Sequence, residues 1–230
     1  MRRAAGFAAL ALAATVLAGC GGGPHARESR FMRNLKPVAE PGEVIATELA
    51  FARTAQEKGQ WTAFAEFATE DAVMFVPQPV NAQNWLKGQA NPAQAVKWQP
   101  HQVWSSCDGT LAVTKGAWQR PDGSVGYFTT VWQRQEDRDY KWVMDQGDVL
   151  VARLEEPEMI GAAVADCTSP PAPVVMSNRD GNVRTEGRST DDTLYWTVNA
   201  RPDGSRSVLV KLWQNGAMEN VLNEDIAAGN

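Results

Sequence analysis

His101 is the one histidine in the part of the sequence patterned to fold; His25 lies in a Gly- and Pro-rich leader. An imidazole can serve as general acid, general base or ligand, but a lone one most often ends as a half-buried polar residue. Asp145 and Asp148 flank Gln146-Gly147 near the end of a predicted strand. A carboxyl group moves protons when it lies within hydrogen-bond reach of a substrate and has a suitable pKa. His101 and Asp145 are therefore the candidate catalytic residues. Glu155-Glu156 and Asp191-Asp192 read as solvated surface. Two histidines cannot build a His-rich metal site, and the Asp/Asn-rich loops lack EF-hand spacing. No metal is expected. The chain carries no phosphate-binding loop, dinucleotide fingerprint, nucleophile elbow or C-x-x-C, so no cofactor is expected.

The elements that must position these groups follow from periodicity. Glu43 to Lys58 reads as a helix on Ile45, Leu49 and Ala52, with Val44, Phe51 and Ala55 broadening the stripe. Gly59 ends it. Gln60 to about Ala68 reads as a second, shorter helix. Asp71–Val76 turns extended and Pro77-Gln78-Pro79 stops it. Asn91-Pro92 predicts a short helix through Lys97, with Asn as cap and Pro at the first helical position. Four strands follow: Trp98–Ser106, Leu111–Gln119, Ser124–Arg134 and Tyr140–Leu150. Asp108-Gly109 and Asp122-Gly123 mark turns. Helices followed by consecutive antiparallel strands predict an α+β fold. Simple alternation along the last strand groups Trp142, Met144 and Gln146 inward and puts Asp145 outward. The matching inward set is Phe128, Thr130 and Trp132, with Trp118 and Thr114 across the sheet. Trp118, Phe128, Thr130, Trp132, Trp142, Met144 and Gln146 thus define an apolar pocket suited to an apolar or aromatic ligand. The same side chains could instead simply fill the interior. Further on, Leu194–Ala200, Ser207–Trp213 and Ala217–Leu222 read as strands that need another layer to pack on. No internal repeat is read from the sequence.

The run Trp61-Thr62-Ala63-Phe64-Ala65-Glu66-Phe67-Ala68-Thr69-Glu70-Asp71-Ala72-Val73 resembles the helix-to-strand junction of the NTF2-like superfamily. Gly88, the stretch Gly126–Trp132 and the stretch Tyr140–Asp145 resemble its later elements. The resemblance spans about residues 43–152, and the SnoaL-like and DUF4440-like branches are the nearest. It implies a cone of N-terminal helices packed on a curved antiparallel sheet, with a pocket at the wide end. It places Pro77–Trp85, with Gln78, Asn81 and Trp85, near the pocket mouth. It also implies that a homodimer through the sheet is available. Isomerases, dehydratases, cyclases and non-enzymes share this fold, so it does not settle function. Ketosteroid isomerases of the superfamily use an Asp base and an oxyanion hole of Tyr and protonated Asp. Ungapped alignment on Asp71-Ala72 puts the base at Val76, the Tyr at Ala52 and the second Asp near Thr130. The resemblance therefore transfers a pocket without that mechanism.

Residues 1–19 read as a signal peptide: Arg2 and Arg3, then an apolar run from Ala4 to Ala18, shorter than the ~20 residues of a membrane-spanning helix. Leu17-Ala18-Gly19-Cys20 resembles the lipobox of bacterial lipoproteins, which implies acylation of Cys20. Residues 20–42 read as a tether, 43–152 as the NTF2-like domain, and 153–230 as a linker and small β-rich C-terminal extension. Gly21 in place of Asp after the lipobox cysteine points to an outer-membrane lipoprotein facing the periplasm. Cys107 and Cys167 then form an even pair in an oxidising compartment, where a disulfide is the expectation. Two buried thiols or a reactive nucleophile are the alternatives. The 230 residues carry 22 Lys+Arg against 27 Asp+Glu, a net charge of -5, which argues against nucleic-acid binding. The reading is a lipid-anchored periplasmic protein that binds a small apolar ligand or an envelope partner without catalysis. The alternatives are an isomerase- or dehydratase-type enzyme with a non-standard site, or a structural lipoprotein with a filled cone.

Overall fold

The computed structural model describes residues 38–169, 171 and 183–228. The expected signal peptide, Cys20 and most of the expected tether lie outside the described residues. Helix α1 (Pro41–Lys58) and helix α2 (Gln60–Phe67) precede strand β1 (Ala68–Phe75). The buried stripe of α1 is Val44, Glu48, Phe51 and Ala55. It is rotated from the one expected, and Leu49 is exposed. The cause is Glu48, an acidic residue inside the stripe that a reading of apolar periodicity passes over.

The helix expected at Asn91 does not form; residues 91–96 carry no helix. Asn91 caps α2 from a distance instead. Its Oδ1 accepts from the backbone N–H of Trp61 at 2.7 Å and of Thr62 at 3.2 Å, two of the donors a helix start leaves unpaired. Gly59 makes room for it, because a Cβ there would lie 2.4 Å from the Asn91 side chain. The short helix in this region is α3 (Ala82–Leu86), capped by Asn81 and preceded by the short strand β2 (Pro79–Asn81).

Strands β3 (Lys97–Ser105), β4 (Leu111–Gln119), β5 (Val125–Arg134) and β6 (Tyr140–Leu150) form a meander close to the expected bounds. With β1, β2 and β7 (Gly161–Val164) they build a seven-stranded sheet in the order β2-β1-β6-β5-β4-β3-β7. Pairing is antiparallel except β1 with β6 and β3 with β7. The fold is thus α+β on a mostly antiparallel sheet. Its helix-facing side packs on Phe51, whose ring lies 4.9 Å from Phe64, 4.8 Å from Trp98 and 6.0 Å from Trp132.

The rest of the chain forms a second, four-stranded sheet: β8 (Val183–Arg188), β9 (Leu194–Ala200), β10 (Arg206–Gln214) and β11 (Ala217–Ile226), in the order β11-β10-β9-β8. It covers the first sheet on the side away from the helices. Leu111, Val113, Val131 and Met144 form one core with Leu194, Trp196, Val198, Val208, Val210 and Leu212. Cys107 and Cys167 are disulfide-bonded, 60 residues apart in sequence.

The two meanders repeat one another, contrary to the sequence reading. Ser106-Cys107-Asp108-Gly109-Thr110-Leu111 matches Ser189-Thr190-Asp191-Asp192-Thr193-Leu194, and Arg120-Pro121-Asp122-Gly123-Ser124 matches Arg201-Pro202-Asp203-Gly204-Ser205. Each match occupies the equivalent turn. In both, the aspartate accepts from a serine two residues before it and a threonine two after. The two turns then bond each other: the Asp108 N–H donates to Asp191 Oδ2 at 2.8 Å, and the Asp191 N–H to Asp108 Oδ2 at 3.0 Å.

Candidate binding cavity

A cavity of about 640 Å³ opens at one end of the first sheet, between the sheet and the helices. Phe51, Phe64, Trp98, Trp118 and Phe128 supply aromatic wall; Thr130, Asp145 and Arg206 supply polar groups. The volume falls within the range typical of small-molecule sites.

Glycines make the space. Phe128 lies between Gly116 and Gly147 across the sheet, and Trp118 lies opposite Gly126. A Cβ at Gly126 would lie 2.1 Å from the Trp118 ring, and one at Gly116 would lie 2.6 Å from the Phe128 ring. Those rings therefore fold down over backbone and leave the volume above them empty. Trp118 is fixed there by donating Nε1–H to the Tyr127 carbonyl at 2.8 Å. A glycine directly across from an aromatic residue is the sequence signal that marks this wall.

The facing of β6 corrects the expectation from alternation. Val131 pairs with Met144 but Trp132 pairs with Trp142, so Val143 is an extra residue, a β-bulge. Trp142 faces the helices, Val143 and Met144 both pack toward the second sheet, and Asp145 returns to the helix side. A bulge shifts the period-two pattern by one residue beyond it. Of the seven expected pocket residues, Trp118, Phe128, Thr130 and Gln146 border the cavity. Trp132 and Trp142 are fully buried core, and Met144 belongs to the core between the sheets. Gln146 directs its amide to Glu224 at 2.8 Å.

The candidate catalytic residues do not meet. His101 borders a separate recess with Glu156. Burial pushes its pKa down and the Glu156 charge opposes this. Asp145 lies in the cavity wall, where Thr130 Oγ1–H donates to Oδ2 at 2.7 Å. Burial raises its carboxyl pKa to about 7; the charge of Glu48 adds to the rise, while Thr130 and Arg206 oppose it. Glu48 lies deeper. It accepts from Trp98 Nε1 at 2.9 Å, Thr114 Oγ1 at 2.6 Å and Trp132 Nε1 at 3.0 Å. Burial still raises its pKa against these three donors. Of the loop expected at the mouth, Pro77 lines the cavity, beside Val76 from the segment before it. Gln78 instead donates to the carbonyls of Arg201 and Pro202, both at 3.1 Å, and Trp85 stacks edge-on with Trp61.

Arg206 is the residue the sequence reading missed. It opens β10 of the second sheet yet reaches the cavity wall, with 6% of its surface exposed. Its Nε donates to Gln146 Oε1 at 3.2 Å and its Nη2 to the Gly147 carbonyl at 2.8 Å. Its guanidinium sits 5.2 Å from the Phe75 ring centroid. The second sheet therefore completes the cavity. No cluster of His, Cys, Asp and Glu with metal-binding geometry occurs among the described residues.

No known family model matches the sequence, and no curated protein matches it. Solved structures similar to part of the chain include nuclear transport factor 2 from Cryptosporidium parvum, at 13% identity over 50% of this chain and 100% of that one, with a TM-score of 0.36. An NTF2-like protein of unknown function from Mesorhizobium loti matches at 15% identity over 46% and 93%, with a TM-score of 0.28. The CaMKII hub of S. rosetta matches at 16% identity over 49% and 98%, with a TM-score of 0.37.

Proposed function

We propose that this chain is a binding protein for a small, largely apolar molecule, held in the cavity of an NTF2-like cone that the C-terminal sheet completes. The observation that carries the reading is the 640 Å³ cavity walled by aromatic rings laid over glycines. Such a wall offers apolar contact area with little side-chain freedom to lose on binding. The NTF2-like assignment rests on element order: two helices, a strand, a short helix, then a four-stranded meander. Lipid attachment at Cys20 would hold the cavity at the periplasmic face of the outer membrane. The Cys107–Cys167 disulfide supports an oxidising compartment. Native mass spectrometry of the full chain tests the reading. An adduct of small-molecule mass that leaves on mild unfolding supports it. A bare mass, together with unchanged tryptophan fluorescence across a panel of apolar compounds, overturns it.

Asp145 favours a second reading, proton-transfer catalysis on the bound molecule. A carboxyl group that titrates near neutrality in a cavity wall is suited to general acid–base work. In that case Asp145→Asn abolishes turnover while binding survives.

A further inference from the structure

The charge on Arg206 narrows the chemistry of the ligand. The fold pairs its other deeply buried guanidinium with carboxylates: Arg134, its side chain 6% exposed, holds Glu40 at 2.7 Å and Glu43 at 2.9 Å. Lys115, beside the cavity's second-sheet wall, holds Glu224 at 2.7 Å. Arg206 is as buried, yet among the described residues no carboxylate lies within 4 Å of it. The groups in direct contact with it are a side-chain amide, a backbone carbonyl and an aromatic face, all neutral; Asp148, Glu224 and Asp145 act on its charge only through space. Nη1 takes no hydrogen-bond partner among the described residues, and it is not among the polar atoms closed off from solvent. A buried cation ordinarily carries a paired anion. Here both N–H groups of Nη1 remain for a group in the cavity that Arg206 lines.

We propose that the ligand is an organic monocarboxylate, with its ring-sized apolar body against Trp118, Phe128 and Phe64 and its carboxylate on Arg206. The inference rests on the binding reading above and names the ligand class of that cavity. Guanidinium donors match a planar carboxylate. A phosphate dianion fits less well, because Asp145 and Asp148 line the same cavity and oppose a second negative charge. An ammonium ligand would gain from Asp145 and Asp148 but would leave the open guanidinium donors of Arg206 unpaired. The Thr130 hydroxyl proton is committed to Asp145 Oδ2, so a carboxylate head can take a hydrogen bond from this corner only through Oδ1 of a protonated Asp145, which has no partner among the described residues.

Three probes with one body test this: 2-naphthoate, 2-naphthamide and 2-naphthylmethylammonium, titrated calorimetrically into the full chain at pH 6. The expected order is naphthoate at least tenfold tighter than the amide, with the ammonium weakest. Arg206→Gln is expected to remove the naphthoate preference. Arg206→Lys keeps the charge without the planar fork and is expected to retain part of it, which covers the case in which the glutamine variant does not fold. Equal binding of all three, tightest binding of the ammonium, or an undiminished preference in Arg206→Gln overturns the carboxylate assignment and leaves the cavity reading standing. No binding of any probe at 1 mM overturns both.

Discussion

Asp145 and Glu48 place two carboxyl groups with raised pKa values in one aromatic interior, and both contribute to how stability depends on pH. Unfolded, an aspartate titrates near ~3.9; folded, Asp145 titrates at about 7. The folded state therefore holds the proton more tightly. That contribution is fully present below about pH 4 and is lost as pH climbs through 7. Glu48, facing Asp145 from α1, acts in the same direction, while Arg206, facing it from β10, opposes the rise. Asp145→Asn keeps an acceptor for Thr130 and removes the titration. It is expected to flatten the loss of stability between pH 4 and 7 and to be more stable than the parent at pH 8 by about 1–2 kcal/mol. Urea midpoints at pH 4, 6 and 8 measure this, and parallel curves for parent and variant refute it. Neither acid's position was legible from hydropathy. Glu48 interrupts an apolar stripe that is real, and Asp145 stands beyond a bulge that reverses alternation. Both displacements are set by packing partners distant in sequence.

At the scale of elements, strand positions were legible because turn chemistry brackets them. Asp-Gly turns define β4 and β5, and their bounds agree with expectation to within a residue. Helix identity around residue 91 was not legible, because Asn91-Pro92 is a sound helix start by local rules. What decides is that Asn91 serves another helix. Its Oδ1 takes two N–H groups of α2 and its Nδ2 donates to Thr62 Oγ1 at 2.9 Å. A local rule reads the capping chemistry correctly and assigns it to the wrong element, since a side chain 30 residues away leaves no periodic trace. Asn91→Ala is expected to cost about 1 kcal/mol, the usual value of a lost cap. Amide exchange should rise most at Trp61 and Thr62. Unchanged protection at those two amides would show that the first turn of α2 is held by packing alone.

For the molecule as a whole, the doubled meander explains why the C-terminal sheet is more than an appendage. A four-stranded sheet with one apolar face needs a partner layer, and the first meander, related to it by turn sequence, presents Leu111, Val113, Val131 and Met144. The repeat is hard to read in the sequence because only the turns and a few pattern residues are shared; the strands between them differ in length and side chain. Three ties join the layers. One is the shared apolar core, one the reciprocal bonding of Asp108 and Asp191, and one the polar set in which Glu224 takes Lys115, Thr129 and Gln146 beside Arg206. The disulfide adds covalent closure of a long loop, worth about 4 kcal/mol in the chain-entropy account. If the core and polar set carry the docking, Cys107→Ser with Cys167→Ser lowers the unfolding free energy by up to about that amount and leaves a single transition. Tryptophans on both sheets report on it, Trp132 and Trp142 in the first and Trp196 and Trp213 in the second. Two separated transitions would mean that the disulfide itself holds the second sheet in place. The cavity would then lose Arg206 whenever that bond is reduced, and naphthoate binding in the double variant would fall with it.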